Sequence, residues 1–452
     1  MANTQKFASR LGMIAATVGS AVGLGNVWRF PAETQANGGA AFLLIYMACI
    51  LLLGIPVMTA EFALGRGGES DASGAFERVT PKHKWWKLTG MLAILTSYLI
   101  LIFYMVVSGW TLEYLIQSVT GSLYADLGDA ETSLSERMAE NITGTVRPIV
   151  MTLIMIAGNL LVLIRGVQKG IERMSNIMMP ILFLLLVVFC GVSLTLDKAA
   201  EGLEFFLKPD FSAITSQTVI NALGQAFFSL SLAMGILITY ASYYPSDARL
   251  TQTAFTVSIL DMLMAVLMGV IIFPGVMTFG LQDSNLVGSS LVFLTLPEIF
   301  VQMDGTCFWS SLFFLLLTVA AFTSTISIAE VSVAYMEKHF GMGRTKAVIT
   351  VLAPLVVLSP MCSMSLGEWS GFTVFGMNFF DLLDTVTTNI MLPVGGILLC
   401  IYMGWVAPKS FFRSQLSNNG TLRASFFEAI YFIVKWIAPV MIALILVSQF
   451  VK

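Results

Sequence analysis

The chain has 452 residues, 57% of them hydrophobic and 11% charged, with a formal net charge of −3, where a soluble domain carries about 25% charged residues. One aqueous core is excluded, because soluble cores stop growing near about 250–300 residues, and the acidic balance argues against nucleic acid as a partner. His83 and His339 fall in polar connections, against a histidine metal site or proton relay. The five cysteines (Cys49, Cys190, Cys307, Cys362 and Cys400) lack zinc or redox spacing and read as small hydrophobes.

A spanning helix needs roughly 20 apolar residues. In chain order, eleven candidates are predicted at about 10–35, 40–65, 88–120, 146–165, 171–195, 215–243, 250–280, 308–337, 345–362, 375–406 and 426–450. No cleavable leader is expected, since the run after Arg10 continues into Arg29-Phe30-Pro31 without a small-residue cleavage site. With the N-terminus inside, the inside connections hold Lys6, Arg10, Arg66, Arg78, Lys82, Lys84, Lys87, Arg165, Lys169, Arg173, Arg249, Lys338, Arg344, Lys346, Lys409, Arg413 and Arg423. The outside ones hold only Arg137, Arg147, Lys198, Lys208 and Lys452. That asymmetry orients the chain with the N-terminus cytoplasmic and, for an odd number of spans, the C-terminus outside. The longest outside connections are about 121–145 and 281–306; the apolar patch Leu291–Ile299 in the second suggests a re-entrant or capping helical hairpin.

The first span contains Gly19-Ser20-Ala21-Val22-Gly23-Leu24-Gly25-Asn26. Glycine costs a helix about 1 kcal/mol per residue. Close packing through small residues explains the glycines but leaves Asn26 and Arg29 without a reason, and an arginine at membrane depth usually faces a wet cavity. The sixth span has a matching interruption, Phe228-Ser229-Leu230-Ser231-Leu232-Ala233-Met234-Gly235. Two such breaks fit an inverted five-plus-five repeat, with repeat one at about 10–195 and repeat two at about 215–406. The unwound backbone would offer amides to an anionic group and oxygens to hard cations such as sodium.

Other polar residues in the spans fit the same cavity. Asp261 stands alone in the seventh span, where a carboxylate must be paired or neutralised. Thr323-Ser324-Thr325 in the eighth is either a cluster of hydroxyl ligands or a set of hydroxyls bonded back to their own helix. Glu61 reads as a brace for the broken helices in preference to a ligand. Tyr104 is either a core tyrosine or a carboxylate donor, and Asp384 is a candidate partner for Arg29.

Gly23-Leu24-Gly25-Asn26-Val27-Trp28-Arg29-Phe30-Pro31 with Asn37-Gly38-Gly39 closely resembles the signature of the neurotransmitter:sodium symporter family. So do Gly54-Ile55-Pro56 with Glu61, Ser108-Gly109-Trp110-Thr111-Leu112, Thr239-Tyr240-Ala241-Ser242-Tyr243 and Phe379-Phe380-Asp381-Leu382-Leu383-Asp384. The resemblance covers almost the whole chain and looks like the bacterial eleven-helix branch, with the all-α leucine-transporter fold and unwound helices one and six. It implies a first sodium at Ala21, Asn26, Ser229 and Asp261 together with the substrate carboxylate, and a second at Gly19, Val22, Ala320, Thr323 and Ser324. The carboxylate position implies the Leu24 and Gly25 amides and the Tyr104 hydroxyl, with the ammonium at carbonyls around Ala21, Phe228 and Ser229. The side-chain pocket would comprise Ser20, Ile100, Tyr104, Phe228, Ser231, Met234, Ser324 and Ile328. Arg29, Asp384 and Phe228 would form the outer gate.

Gly23 occupies the place where amine-transporting relatives carry an aspartate, which favours substrates that bring their own carboxylate. Asp261 stands where chloride-dependent relatives carry an asparagine, so a fixed charge would replace chloride. Met234 replaces a bulkier aromatic of some relatives, and methionine is adaptable, which implies a pocket for several large apolar or aromatic amino acids. Gly170 followed by Pro180 reads either as a helix start with a proline kink or as a cytoplasmic half-turn able to unwind towards the second sodium. Relatives share the spacing, which favours the second. The inner gate departs from the pattern: Thr4 and Lys338 stand where relatives place an arginine and an aspartate, so Lys6 or Arg10 with Glu337, together with Tyr243, is the expected replacement.

The resulting expectation is a symporter, not an enzyme, in a bacterial cytoplasmic membrane. It would import hydrophobic L-amino acids with two sodium ions and no chloride, and no obligate protein partner is expected. A proton-coupled or exchanging carrier of the same fold would typically lack the Thr323/Ser324 hydroxyl pair. A non-transporting sensor would need a signalling domain that is not read in the chain.

Overall fold

The computed structural model describes residues 6–125, 133–280 and 291–449. Among them, nine helices are long and apolar enough to cross a membrane, and a bent pair makes a tenth. The pair is α1 (Arg10–Ala21) and α2 (Gly25–Ala36), which meet at 53°. Then follow α3 (Ala40–Gly68), α4 (Lys84–Thr120), α5 (Val146–Leu163) and α6 (Val167–Ser193). The sixth expected span is two pieces, α7 (Ser216–Ser229) and α8 (Ile236–Ser242). At 1.5 Å per residue they are roughly 21 and 10 Å long, too short to cross separately. After the break come α9 (Leu250–Thr278), α10 (Thr306–Phe340), α11 (Arg344–Met364), α12 (Phe379–Val406) and α13 (Phe427–Ser448). The long helices α4 and α10 pack along one another at the centre of the bundle. In the second long connection, Leu291–Val301 forms a short buried helical segment. Phe293 packs edge-on against Trp28 and Trp110, and its carbonyl accepts from Tyr114 at 2.9 Å. Residues 281–290, the other limb of the expected hairpin, lie outside the described residues.

Both breaks have local causes. After Ala21 the backbone turns extended at Val22 (φ −70°, ψ 103°), and helix resumes only at Gly25. In the second break Ser231, Ala233 and Gly235 all have positive φ, at 53°, 63° and 73°. For a residue with a Cβ that conformation costs roughly 1–2 kcal/mol, so it persists only where neighbours hold it. The buried Glu61 carboxylate accepts the Ala233 amide at 2.7 Å, and Ser231 Oγ donates to the Ser20 carbonyl at 2.8 Å. Ser97 donates to the Met234 carbonyl. Glu61 thus braces the break. Pro180 lies inside α6, whose first turn, Val167–Glu172, is a π-turn, so the Gly170–Pro180 stretch is helical here.

The end of the bundle that carries Arg10, Arg66 and Arg344 is sealed, by a network that differs from the expected one. Glu337 pairs with Arg344 at 3.1 Å, not with Lys6 or Arg10, and Lys6 lies 3.9 Å from exposed Glu69. Thr4 lies outside the described residues. Arg344 forks onto fully buried Glu330 at 2.6 and 2.8 Å and donates to the Leu163 carbonyl at 2.7 Å. Tyr243 donates to Glu330 at 2.8 Å. The reason is geometric: the chain reverses at Gly341 (φ 63°), which folds the start of α11 back beside the end of α10. Phe7 plugs the same end, its amide bonded to the Tyr243 carbonyl at 3.0 Å and its ring among Tyr240, Tyr243 and Tyr244. Buried Glu172, at the start of α6, accepts the Ala8 and Ser9 amides at 2.8 and 3.0 Å and anchors the start of α1. Removing one partner of a buried ion pair costs about 3–5 kcal/mol. Arg344→Ala is therefore expected to lower the melting temperature of the purified protein clearly, and adding Glu330→Gln to recover much of the loss. A single variant as stable as the parent contradicts this account of the seal.

Candidate functional site

The two breaks face each other. Asn26, in the turn that restarts the first span, donates through Nδ2 to Asp261 at 2.6 Å. Ser229, at the last turn of α7, lies 2.6 Å from Asn26 Oδ1 and 2.5 Å from the other Asp261 oxygen. All three are buried, and Tyr46 of α3 donates to Ser229 Oγ at 3.2 Å. Three chain-distant side chains thus bring their oxygens to one point at the break of the first span. Hard oxygen donors around a full negative charge suit a sodium-sized cation.

A second set lies across the same break. Ser324 Oγ reaches the Val22 carbonyl at 3.5 Å. Gly19 lies against Thr323: a Cβ built on it would stand 3.5 Å from Thr323 Cβ. Thr323 Oγ1 bonds carbonyls of its own helix, Val319 at 3.1 Å and Ala320 at 3.0 Å. The structure therefore brings Gly19, Val22, Ala320, Thr323 and Ser324 together, and the back-bonding reading of Thr323 holds at the same time. Thr325 turns elsewhere, bonding the Phe322 carbonyl at 2.8 Å and accepting from Asn159 at 3.0 Å.

Between the two sets, the Leu24 amide donates to the Tyr104 hydroxyl at 3.2 Å. Gly23 is tightly flanked here: a Cβ on it would stand only 2.7 Å from Ser324 Oγ and 3.0 Å from Tyr104 Oη, so a side chain at this position would collide with both. Ile100 and Ile328 sit one helical turn from Tyr104 and Ser324 on the same faces. Both belong, with Met234, to the continuous buried apolar cluster. Ser20 and Ser231 are joined through the bond that crosses the breaks.

A cavity of about 420 Å³ opens onto this point from the end opposite the Arg344 network, lined by Leu24, Gly25, Tyr104, Phe228, Arg29 and Asp384 among others. Arg29 and Asp384 share the cavity without forming an ion pair. Instead the Arg29 guanidinium lies 4.8 Å over the Phe228 ring, a favourable cation–π geometry, and Phe228 packs against Gly25. The molecule is thus closed at its basic end and open at the other.

Three residues of this constellation were missed in the sequence. Tyr46 carries a hydroxyl in an apolar run, and Gln225, one turn before Ser229, donates to the Gly25 carbonyl at 3.1 Å. Glu330 stands alone among Ile328, Ala329 and Val331. In each case the signal was a single polar group in an apolar span, the kind that must find a partner.

Comparison with known proteins agrees with this geometry. A family model described as the sodium:neurotransmitter symporter family matches residues 4–133 and 131–452. The sodium-dependent transporter YhdH of Bacillus subtilis is 35% identical over 444 residues, covering 98% of this chain and 97% of its own. A sodium-dependent transporter of Haemophilus influenzae is 34% identical over 458 residues, covering 98% of each. Among solved structures, MhsT in complex with L-phenylalanine superposes with a TM-score of 0.89 at 39% identity, over 99% of this chain and 100% of that one. The chain therefore belongs to the sodium:neurotransmitter symporter family: it is a sodium-dependent membrane transporter, not an enzyme, with the leucine-transporter fold.

Proposed function

We propose that this protein imports hydrophobic L-amino acids, aliphatic and aromatic, with two sodium ions per cycle and without chloride. One observation carries the reading: the Asn26–Ser229–Asp261 oxygen set and the Leu24–Tyr104 hydrogen bond meet at one break, where Gly23 is so closely flanked by Tyr104 and Ser324 that no side chain fits. A substrate carboxylate there takes the Leu24 and Gly25 amides and the Tyr104 hydroxyl, and one of its oxygens completes the first sodium shell with Ala21, Asn26, Ser229 and Asp261. Each ligand then raises the affinity of the other, and that reciprocity is the coupling. The second sodium takes Gly19, Val22, Ala320, Thr323 and Ser324. Carbonyls around Ala21, Phe228 and Ser229 hold the ammonium. The L-phenylalanine bound by MhsT supports a large apolar substrate, as do Ile100, Met234 and Ile328 beside the break.

Asp261 supplies the negative charge that an anion would otherwise bring, and it does so already bonded to Asn26 and Ser229. Transport needs the Arg29–Asp384 gate to close over Phe228 and the Arg344–Glu330–Tyr243 network to release, with the Gly170–Pro180 turn unwinding towards the second sodium. The protein lies in a bacterial cytoplasmic membrane with its Arg344 end inside, its N-terminus cytoplasmic and its C-terminus outside.

In proteoliposomes, an inward sodium gradient is expected to drive phenylalanine accumulation that potassium does not support, with gluconate substituting for chloride at little loss. Accumulation unaffected by removing sodium would point to a proton-coupled or exchanging carrier and sink the proposal, and a large loss in gluconate would remove its chloride arm. Met234→Phe adds bulk to a filled apolar site, where overpacking costs about 1–3 kcal/mol. Competition by tryptophan should therefore weaken roughly 5- to 150-fold while competition by valine changes little. Unchanged tryptophan competition would take Met234 out of the pocket.

A further inference from the structure

The cavity described above serves the breaks, but a larger one lies on the outside of the bundle, near its basic end. It measures about 690 Å³, formed where the middle of α3, the start of α9 and the start of α13 come together. Its walls are apolar: Leu51, Pro56, Phe255, Ile430 and Ile433 contribute. Several groups at or beside it are exposed, Phe255 at 52% and Phe426 at 73%, as befits a surface that meets acyl chains. Two irregular turns, Ile50–Gly54 in α3 and Ile433–Ile437 in α13, stand beside each other here and keep the two helices from closing the groove by regular packing.

The polar end of the groove carries Arg249 and Arg423. Arg249 is the residue before α9 and Arg423 lies four residues before α13, so both guanidiniums sit at the level where spanning helices emerge. Both are exposed, and among the described residues neither guanidinium has an acid or hydrogen-bond partner. The nearest carboxylate in sequence to Arg423, Glu428, is already held by Lys409 at 2.7 Å. The neighbouring Arg66 shows the contrast: its guanidinium donates four bonds, to Gln415, Asn418 and the Ala248 carbonyl. An apolar trough ending in two uncompensated guanidiniums at the bilayer surface has the shape and charge of one ligand class.

We infer that this groove binds one anionic glycerophospholipid of the surrounding bilayer. An acyl chain lies along Leu51, Pro56, Phe255 and Ile433, and the headgroup phosphate sits between Arg249 and Arg423. The site joins α3 and α9 to α13, which does not line the cavity at the breaks. The inference is independent of which substrate is carried.

The test is a lipid titration of the delipidated full-length protein, followed by native mass spectrometry, with phosphatidylglycerol and phosphatidylcholine of the same chains. Two interfacial arginines confer about thirtyfold preference for an anionic headgroup, so one phosphatidylglycerol should bind about thirtyfold more tightly than phosphatidylcholine. The Arg249→Gln/Arg423→Gln double variant should bring the two lipids within about twofold, while Arg249→Lys/Arg423→Lys retains most of the preference. Ala429→Trp, which fills the trough, should weaken both lipids. Equal binding of the two lipids by the parent protein, or a preference that survives the glutamine substitutions, would overturn the proposal. So would displacement of the phosphatidylglycerol by millimolar inorganic phosphate, which would make the arginine pair a site for soluble anions.

Discussion

Backbone groups freed from a helix inside a bilayer must find partners within the protein, because each one left unsatisfied costs several kcal/mol. In this chain the two breaks largely supply one another. Ser231 of the second break bonds the Ser20 carbonyl of the first, and Gln225 bonds the Gly25 carbonyl. Glu61 from α3 holds the Ala233 amide in a stretch where two residues with side chains adopt positive φ. Neither break is tenable alone. Held together, they leave carbonyls, amides and the Asn26–Ser229–Asp261 set pointing into a shared space, and that space is what the proposed ions and substrate use.

The ends of the molecule are unequal in a way that fits alternating access. One is closed by aromatic rings around Phe7 and by the Arg344–Glu330 pair, which are costly to disrupt singly. The other stands open at a cavity where Arg29 leans on Phe228 and forms no ion pair with Asp384. The closing elements differ in strength: a buried, bidentate pair seals one end, and a cation–π contact and a prospective ion pair stand ready at the other. In the proposed cycle, substrate closes the open end by supplying contacts to Phe228 and the helices behind it, and release at the other end requires the buried pair to separate.

Much of this was legible in the residues. Glycines, an asparagine and an arginine in the first span marked the break, and a matching interruption marked its partner. Asp261, Glu61 and the Thr323/Ser324 pair stood out as polar groups in apolar helices, and each has a partner near the breaks. What failed was the basic end. The sequence pattern pairs Glu337 there with Lys6 or Arg10, because charge alone cannot say which of several nearby cations a carboxylate meets. The answer lay in the reversal at Gly341, which brings Arg344 back onto α10. Glu172 was invisible for a related reason: its partners, the amides of Ala8 and Ser9, lie more than 160 residues away and have no side-chain signature. Local pattern reveals which groups need partners, whereas the tertiary path decides who the partners are.

The central claim is that sodium and an amino-acid carboxylate share the break at Gly19–Asn26. Equilibrium binding of labelled phenylalanine to the purified protein, titrated at fixed sodium concentrations, with sodium binding titrated in turn at fixed phenylalanine, tests it most directly. The account predicts that sodium tightens phenylalanine binding and that phenylalanine tightens sodium binding by the same factor. A phenylalanine affinity independent of sodium would contradict it.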